Sequence, residues 1–174
     1  AKKIAAVMLA ATMTLSLAAC GGSSSSDSKS ADGATDSGKV YKIGICQQLE
    51  HEALDQATKG FEDACEKKFG KDNVTFDLQN GQGEQANCAT IANNFVADNV
   101  DLIMANATTA LQCSAAATSD IPILGTSITD YATALDISDW TGATGMNISG
   151  TSDLAPIDKQ EEMLTELVPD AKTV

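Results

Sequence analysis

Apolar residues along this chain follow two alternating rhythms. Short, largely β-branched runs predict strands at residues 40–46 (VYKIGIC), 74–78, 100–105 (VDLIMA) and 121–124 (IPIL). Between them, apolar positions recur every three or four residues. Leu54, Ala57, Phe61, Ala64, Cys65 and Phe69 share one helical face, and Gly70 suits the stop. Residues 84–97 predict a second helix with Ala89, Ala92, Phe95 and Val96 toward a sheet, and 108–118 a short Ala-rich third. A fifth strand is read at 143–147. Alternation of this kind predicts an α/β fold: a parallel, doubly wound sheet with helices on both faces and right-handed crossovers.

Both ends depart from that rhythm. Lys2 and Lys3 precede an uncharged apolar run at 4–17, too short for a membrane span and suited to the core of a signal peptide at 1–19. The run ends in LAACG, which resembles the bacterial lipobox and makes Cys20 the expected lipidation site. From 23 to 38 there is no large apolar residue, so residues 20–38 read as a lipidated flexible tether. A lipid there would anchor the protein to a membrane without spanning it. At the other end, Pro156 stands at a helix start, 160–168 is amphipathic, Pro169 and Asp170 stop it, and 171–174 opens like another strand. The expected organisation is a first α/β lobe at 39–147, followed at 148–174 by a hinge crossing and the start of a truncated second lobe.

Charge narrows the function. The chain has 11 cationic and 24 acidic side chains, a net charge of −13, and every cation is Lys. A nucleic-acid partner would need a basic face, and an arginine clamp has no residue to build it. One His leaves little for a His-based metal centre. His51-Glu52-x-x-Asp55 lacks the second His of a zinc-protease helix. Gly81-x-Gly83 lacks a third Gly, and Glu84 at the helix start would repel a phosphate. Cys46, Cys65, Cys88 and Cys113 fall on one strand and three helices without a CxxC spacing, so free, apolar-packed thiols are expected.

In an open parallel sheet a ligand lies beyond the carboxyl ends of the strands. That rule selects Gln47, Glu50, His51, Gln82, Thr108, Thr109, Thr129, Asp130 and Asn147 as candidate ligand-binding residues. These loops hold amides, hydroxyls and glycines but no nucleophile with a base, a composition for holding a small polar solute. Each has a plainer role as well. His51 and Glu50 can shape a helix start, Thr108 and Thr109 can cap a helix, Asp130 can cap a turn, and Gln82 sits in a glycine turn. In the binding role, a helix N-terminus at Thr108 and Thr109 would meet a carboxylate. Asp130 would meet an ammonium group, with Gln47 and Gln82 as neutral helpers.

KIGICQQLEHEALDQATKGFEDA, NGQGEQANCATIANNFVADNVDLIMANAT, TDYATALDISDW and TGMNISGTSDLAPID resemble, in order, the substrate-binding lipoproteins of bacterial ABC importers, most of all the tryptophan/tyrosine-type branch. The resemblance covers residues 39–174. It implies a two-lobed, type I periplasmic-binding-protein-like fold and a monomer on the extracytoplasmic face of the cell membrane. It also implies no enzymatic activity and no cofactor. The solute would be an aromatic or other amino acid, held between lobes that close about a hinge near residues 145–147 and passed to an ABC permease. The chain departs from the family's pattern at Glu52 and Tyr131, where the family has Pro. A flavodoxin-like enzyme or sensor is the alternative, and it would need a Ser/Thr/Gly-rich loop where residues 47–52 are amidic and acidic.

Overall fold

The computed structural model of the protein describes residues 38–170 and 172–173. The expected signal peptide and Cys20 lie outside the described residues, as does the tether up to residue 37. Five strands, β1 (Tyr41–Gln47), β2 (Val74–Asn80), β3 (Leu102–Asn106), β4 (Ile123–Ile128) and β5 (Ile148–Ser152), form one sheet in the order β2-β1-β3-β4-β5. Every neighbouring pair is parallel. The helices are α1 (Glu52–Phe69), α2 (Gln85–Ala97), α3 (Thr108–Ala117), α4 (Tyr131–Ala134) and α5 (Ile157–Leu167), with a 3-10 turn at Lys71–Asn73.

Strand alternation divides the core into two layers. Ile43 and Ile45 of β1 join Met104 of β3, Val74 of β2 and Cys65 of α1 on one face, with Phe61 and Phe69 packed alongside. Cys46 joins Ile103 and Ala105, with Cys88, Ile91, Ala92 and Phe95 of α2 and Ala110, Leu111 and Cys113 of α3, on the other. The sheet is therefore covered from both sides, which is why its central strands are apolar on both faces.

Two close approaches fix helix positions. The Phe95 ring rests on the bare backbone of Gly44, where a Cβ would stand 2.6 Å from the ring's Cγ. Gly125 and Gly150 are register partners on β4 and β5, and together they leave a slot for the Tyr131 phenol. Its hydroxyl donates to the Thr151 carbonyl at 3.2 Å, and the residue is buried. Tyr131 thus anchors α4 to the last strand.

Strand ends differ from expectation in a consistent direction. Gln47, Gln79, Asn80, Asn106 and 125–128 continue the ladders beyond the apolar runs. The fifth strand lies at Ile148–Ser152, not at 143–147. Gly142 and Gly145 take φ of 88° and 68°, left-handed values that break an extended run. Only Ile148 of β5 is buried, so this edge strand carries almost no apolar signal. The sheet therefore runs to Ser152, past the 147 boundary expected for the first lobe. α5 begins three residues earlier than the amphipathic pattern implied and buries none of its residues. Lys172 and Thr173 lie in no strand. Cys46, Cys65, Cys88 and Cys113 are free and buried. No helix among the described residues is long and apolar enough to cross a membrane.

The Gly44–Phe95 contact can be tested directly. Gly44→Ala should destabilise the protein by about 1–3 kcal/mol through overpacking. In the Phe95→Leu background the same change should cost less, because the ring it strikes is gone. Equal costs in the two backgrounds, read from denaturant midpoints, would show that the ring does not set this contact.

Candidate functional site

Parallel pairing puts every strand's carboxyl end on one edge, and a buried polar network closes that edge from below. Gln47 ends β1 opposite Asn106, which ends β3. The Thr58 hydroxyl of α1 donates to Gln47 Oε1 at 2.7 Å and accepts from Asn106 Nδ2 at 3.0 Å. Gln47 Nε2 donates to Asp55 Oδ1 at 2.6 Å and to the Leu49 carbonyl at 3.0 Å. Asn106 Nδ2 also reaches the Leu54 carbonyl at 2.8 Å. Gln47, Thr58 and Asn106 are 4%, 3% and 0% exposed, so their bonds form away from water, where an unpaired polar group is costly. Asn106 Oδ1 is buried and has no hydrogen-bond partner among the described residues.

The loops above are joined to one another. Gly81 N–H donates to the Gln47 carbonyl and Gly83 N–H to the Gln48 carbonyl, each at 2.8 Å. Gln48 N–H donates to the Asn106 carbonyl at 3.1 Å. Its side-chain Oε1 accepts from Thr109 N–H at 3.1 Å, at the start of α3. Ala107 N–H donates to the Thr126 carbonyl at 3.0 Å. On the far side, the Ser152 hydroxyl donates to the Thr129 carbonyl at 2.8 Å, and Asp153 N–H to the Ile128 carbonyl at 3.0 Å. The edge is a rim of neutral amides and hydroxyls.

The residues selected from sequence take different places on it. Gln47 is locked inside the network, so its amide is structural and not a free helper for a ligand. Glu50 is exposed and lines an open cavity of about 470 Å³ with Gln47, Asp55, Thr58, Lys59, Glu62, Leu78 and Asn80. His51 is the N-cap of α1, its Nδ1 accepting from Ala53 N–H at 3.2 Å. Gln82 is exposed in a turn with φ 55°, its N–H held by Asn80 Oδ1 at 2.7 Å. Thr108 and Thr109 open α3, but the Thr109 amide is already engaged by Gln48. Thr129 is exposed beside Asp130, which is the N-cap of α4. Asp130 Oδ1 accepts from Ala132 and Thr133 N–H, and Oδ2 from the Thr133 hydroxyl at 2.8 Å. Asn147 is not at this edge. Its Nδ2 donates to the Thr118 and Ile121 carbonyls, and its own carbonyl accepts from Ile123 N–H, all at the amino end of the sheet. Neither a ligand contact nor a hinge at 145–147 fits that position.

Charge at the rim is acidic or absent. The loop residues 48–51, 81–84, 107, 129–130 and 153–156 include no Lys. The Thr133 hydroxyl and the α4 amides hold the Asp130 carboxyl below the usual aspartate range. Cys46, Cys88 and Cys113 share the core layer beneath α2 and α3: burial pushes the Cys46 thiol far up, with Cys88 and then Cys113 adding to the effect. It is no nucleophile at neutral pH. Among the described residues, no group of three or more His, Cys, Asp or Glu side chains is arranged to hold a metal ion. Sequence reading missed Gln48, Thr58 and Asn106, whose roles depend on contacts 11 to 61 residues away.

Residues 42–174 match the family described as ABC transporter substrate binding protein. The chain is 40% identical to a tyrosine-binding protein of Clostridioides difficile over 99% of its own length and 51% of that protein's. It thus spans about half the length of this curated relative. Two of the solved structures similar to this chain are of ligand-free and ligand-bound relatives. One is a ligand-free, open substrate-binding protein with adhesive properties from Clostridium difficile (41% identity, TM-score 0.69, 76% of this chain and 45% of that one). The other is a Streptococcus pneumonia ABC domain in complex with L-Trp (35% identity, TM-score 0.68, 76% and 45%).

The buried network generates a stability prediction. Thr58→Val preserves shape but removes the hydroxyl, leaving Gln47 Oε1 without its donor and Asn106 Nδ2 one partner short. The expected loss is roughly 2–4 kcal/mol, with an unchanged denaturant slope. Thr58→Ser should recover most of it. A Thr58→Val protein as stable as the wild type would remove the network from any supporting role.

Proposed function

This chain belongs to the ABC transporter substrate-binding protein family, and on that premise we propose that it is the solute-receiving lobe of an extracytoplasmic lipoprotein. The lipoprotein delivers an aromatic or other amino acid to an ABC permease. The observation that carries this reading is the carboxyl edge itself, a rim of amides, hydroxyls and a few carboxylates gathered by Gln47 and Gln48. The relatives add to it: one is a tyrosine-binding protein and another was solved with L-Trp. The role is binding and release, with no chemical step and no cofactor. Lipidation at Cys20 would hold the protein at the membrane surface.

A zwitterion buried between lobes needs a partner for each charge, because either charge left unpaired costs several kcal/mol. Asp130 is the carboxylate best placed for the ammonium group. Its cap bonds engage both oxygens, yet a carboxylate has about four acceptor positions, so capacity remains. The Thr133 hydroxyl and the α4 amides hold its carboxyl below the usual aspartate range, so it is ionised at neutral pH. The cap contribution is therefore present above the ordinary aspartate range and is lost as pH falls through the lowered value. The chain leaves β5 at Ser152, so the crossing to a second lobe, and the hinge for closure, fall at 153–156 and not at 145–147.

Two measurements on the full-length protein test this reading. Asp130→Asn keeps the cap, since Asn caps as well as Asp, and removes only the charge. Amino-acid affinity measured by calorimetry should fall by about 1.5–3 kcal/mol, while a ligand analogue lacking the amine should be unaffected. Equal loss for both ligands would make Asp130 a cap alone, and no binding of any amino acid by the wild type would overturn the receptor assignment. Separately, Cys20→Ala should release the protein from the membrane fraction. A variant that stays bound after an alkaline wash would exclude lipid anchoring at that residue.

A further inference from the structure

We propose that Gln48 is the residue that selects for an acidic group on the solute: its carbonyl oxygen is spent on holding α3, and its amide Nε2 donates to the ligand's carboxylate. This rests on the receptor reading above and names a residue and a ligand group within it.

Four observations converge on Gln48. First, α3 has no cap of its own. Its N-cap residue is Ala107, at φ 84°, with no side-chain cap bond. The Thr109 N–H in the first turn is met instead by Gln48 Oε1 at 3.1 Å, from 61 residues away. Second, that bond fixes the orientation of the amide. An N–H can be accepted only by the oxygen, so the NH₂ end is the other arm of the plane, with two donors. No hydrogen bond to Nε2 exists among the described residues, and Gln48 is only half-buried. Third, the backbone cannot swing. Gln48 N–H is held by the Asn106 carbonyl at 3.1 Å, and its carbonyl by Gly83 N–H at 2.8 Å. The side chain therefore projects from a point pinned to the ends of β2 and β3. Fourth, the rim loops given above hold no Lys and no Arg, so the donors that this rim offers an anion are neutral.

Neighbouring glutamines thus divide the work. Gln47 turns under the rim, 4% exposed with both ends paired, and serves the core. Gln48, in the bend just past β1, reaches instead to the Thr109 N–H at the start of α3. An amide whose oxygen is polarised by a helix N-terminus is also a better donor at its nitrogen.

The test uses the full-length protein and three variants. Gln48→Glu keeps an acceptor for Thr109 N–H and places a charge that the helix N-terminus favours, but it removes both donors. Gln48→Ala removes the tie as well. Binding of L-tyrosine and L-tryptophan is compared with binding of their C-terminal amides, which retain the amine and the ring. Wild type should prefer the free acid. In Gln48→Glu that preference should shrink by roughly 10- to 100-fold, the scale of one charge-assisted hydrogen bond. Protection of the Thr109 amide from hydrogen exchange without ligand should stay near wild type in Gln48→Glu and be lost in Gln48→Ala. Gln48→Lys, which restores a donor, should recover preference for the acid without recovering that protection. An unchanged acid-to-amide ratio in Gln48→Glu, in a wild type that binds the acids, overturns this assignment alone. A wild type that binds neither acid nor amide overturns the receptor reading and this assignment together. Unchanged Thr109 protection in Gln48→Ala shows that the tie does not hold α3 and overturns the assignment as well.

Discussion

The Thr58 hydroxyl is the point at which α1 is hydrogen-bonded to the ends of both β1 and β3. It gives its proton to Gln47 at the end of β1 and takes one from Asn106 at the end of β3, from a position on α1 that is 3% exposed. Apolar packing is non-directional and tolerates sliding of a helix over a sheet. A buried, fully oriented hydroxyl does not, because displacement by an ångström leaves polar groups unpaired in a dry environment. The network therefore sets the register of α1 against the sheet, and so the height of the loops above it. Gly81 and Gly83 hang from the carbonyls of Gln47 and Gln48, and α3 hangs from the Gln48 side chain.

That construction explains how the carboxyl edge comes to present ordered amides and hydroxyls between its carboxylates. Most of its ion pairs lie elsewhere. Lys39 and Lys42 meet Asp101 and Asp98 near the amino ends of the strands, and Lys59 meets Asp63 on the outer surface of α1. Such exposed pairs contribute little to stability, but they keep the cations away from the ligand side. What remains at the carboxyl edge is hydrogen-bonding capacity without strong fixed charge, apart from the carboxylates of Glu50, Glu84, Asp130 and Asp153. A rim of this kind discriminates by the placement of donors and acceptors, which suits a receptor that must also release its solute.

The opposite side of the fold depends on glycine. Phe95 seats α2 against Gly44, and Tyr131 seats α4 over the paired Gly125 and Gly150. In each case the helix carries the bulk and the strand supplies the absence of it. Tyr131, which departs from the family's Pro, lies in this slot, and its hydroxyl is occupied by the Thr151 carbonyl. It acts on the seating of β5.

Hydrophobic periodicity alone determined the alternation of the main strands and helices and the doubly wound character, because those follow from apolar area that must leave water. The helix faces came out only in part, with Ala64 exposed and Cys88 and Ile91 buried, and the short α4 carried no such signal. It failed where apolar area is not what holds an element. Strands β1, β2 and β3 end on Gln47, Asn80 and Asn106, past their last apolar residue, since backbone ladders need no apolar side chain. β4 reaches its last apolar residue, Ile128, only across the polar positions 126 and 127, and β5 has one buried residue with which to announce itself. Asn147 looked like a strand end and is a brace at the amino edge, through bonds to Thr118 and Ile121 that no local pattern encodes. The candidate edge was legible from topology, while the tasks of its residues were not. His51 and Asp130 were readable as capping residues, since capping is a local interaction between near neighbours, whereas Thr108 and Thr109 do not cap α3, whose N-cap is Ala107. That Gln47 faces the core and Gln48 the rim was decided by Thr58, Asn106 and Thr109, which reach them only when the chain has folded, because a hydrogen bond across 11 to 61 residues has no signature in sequence spacing.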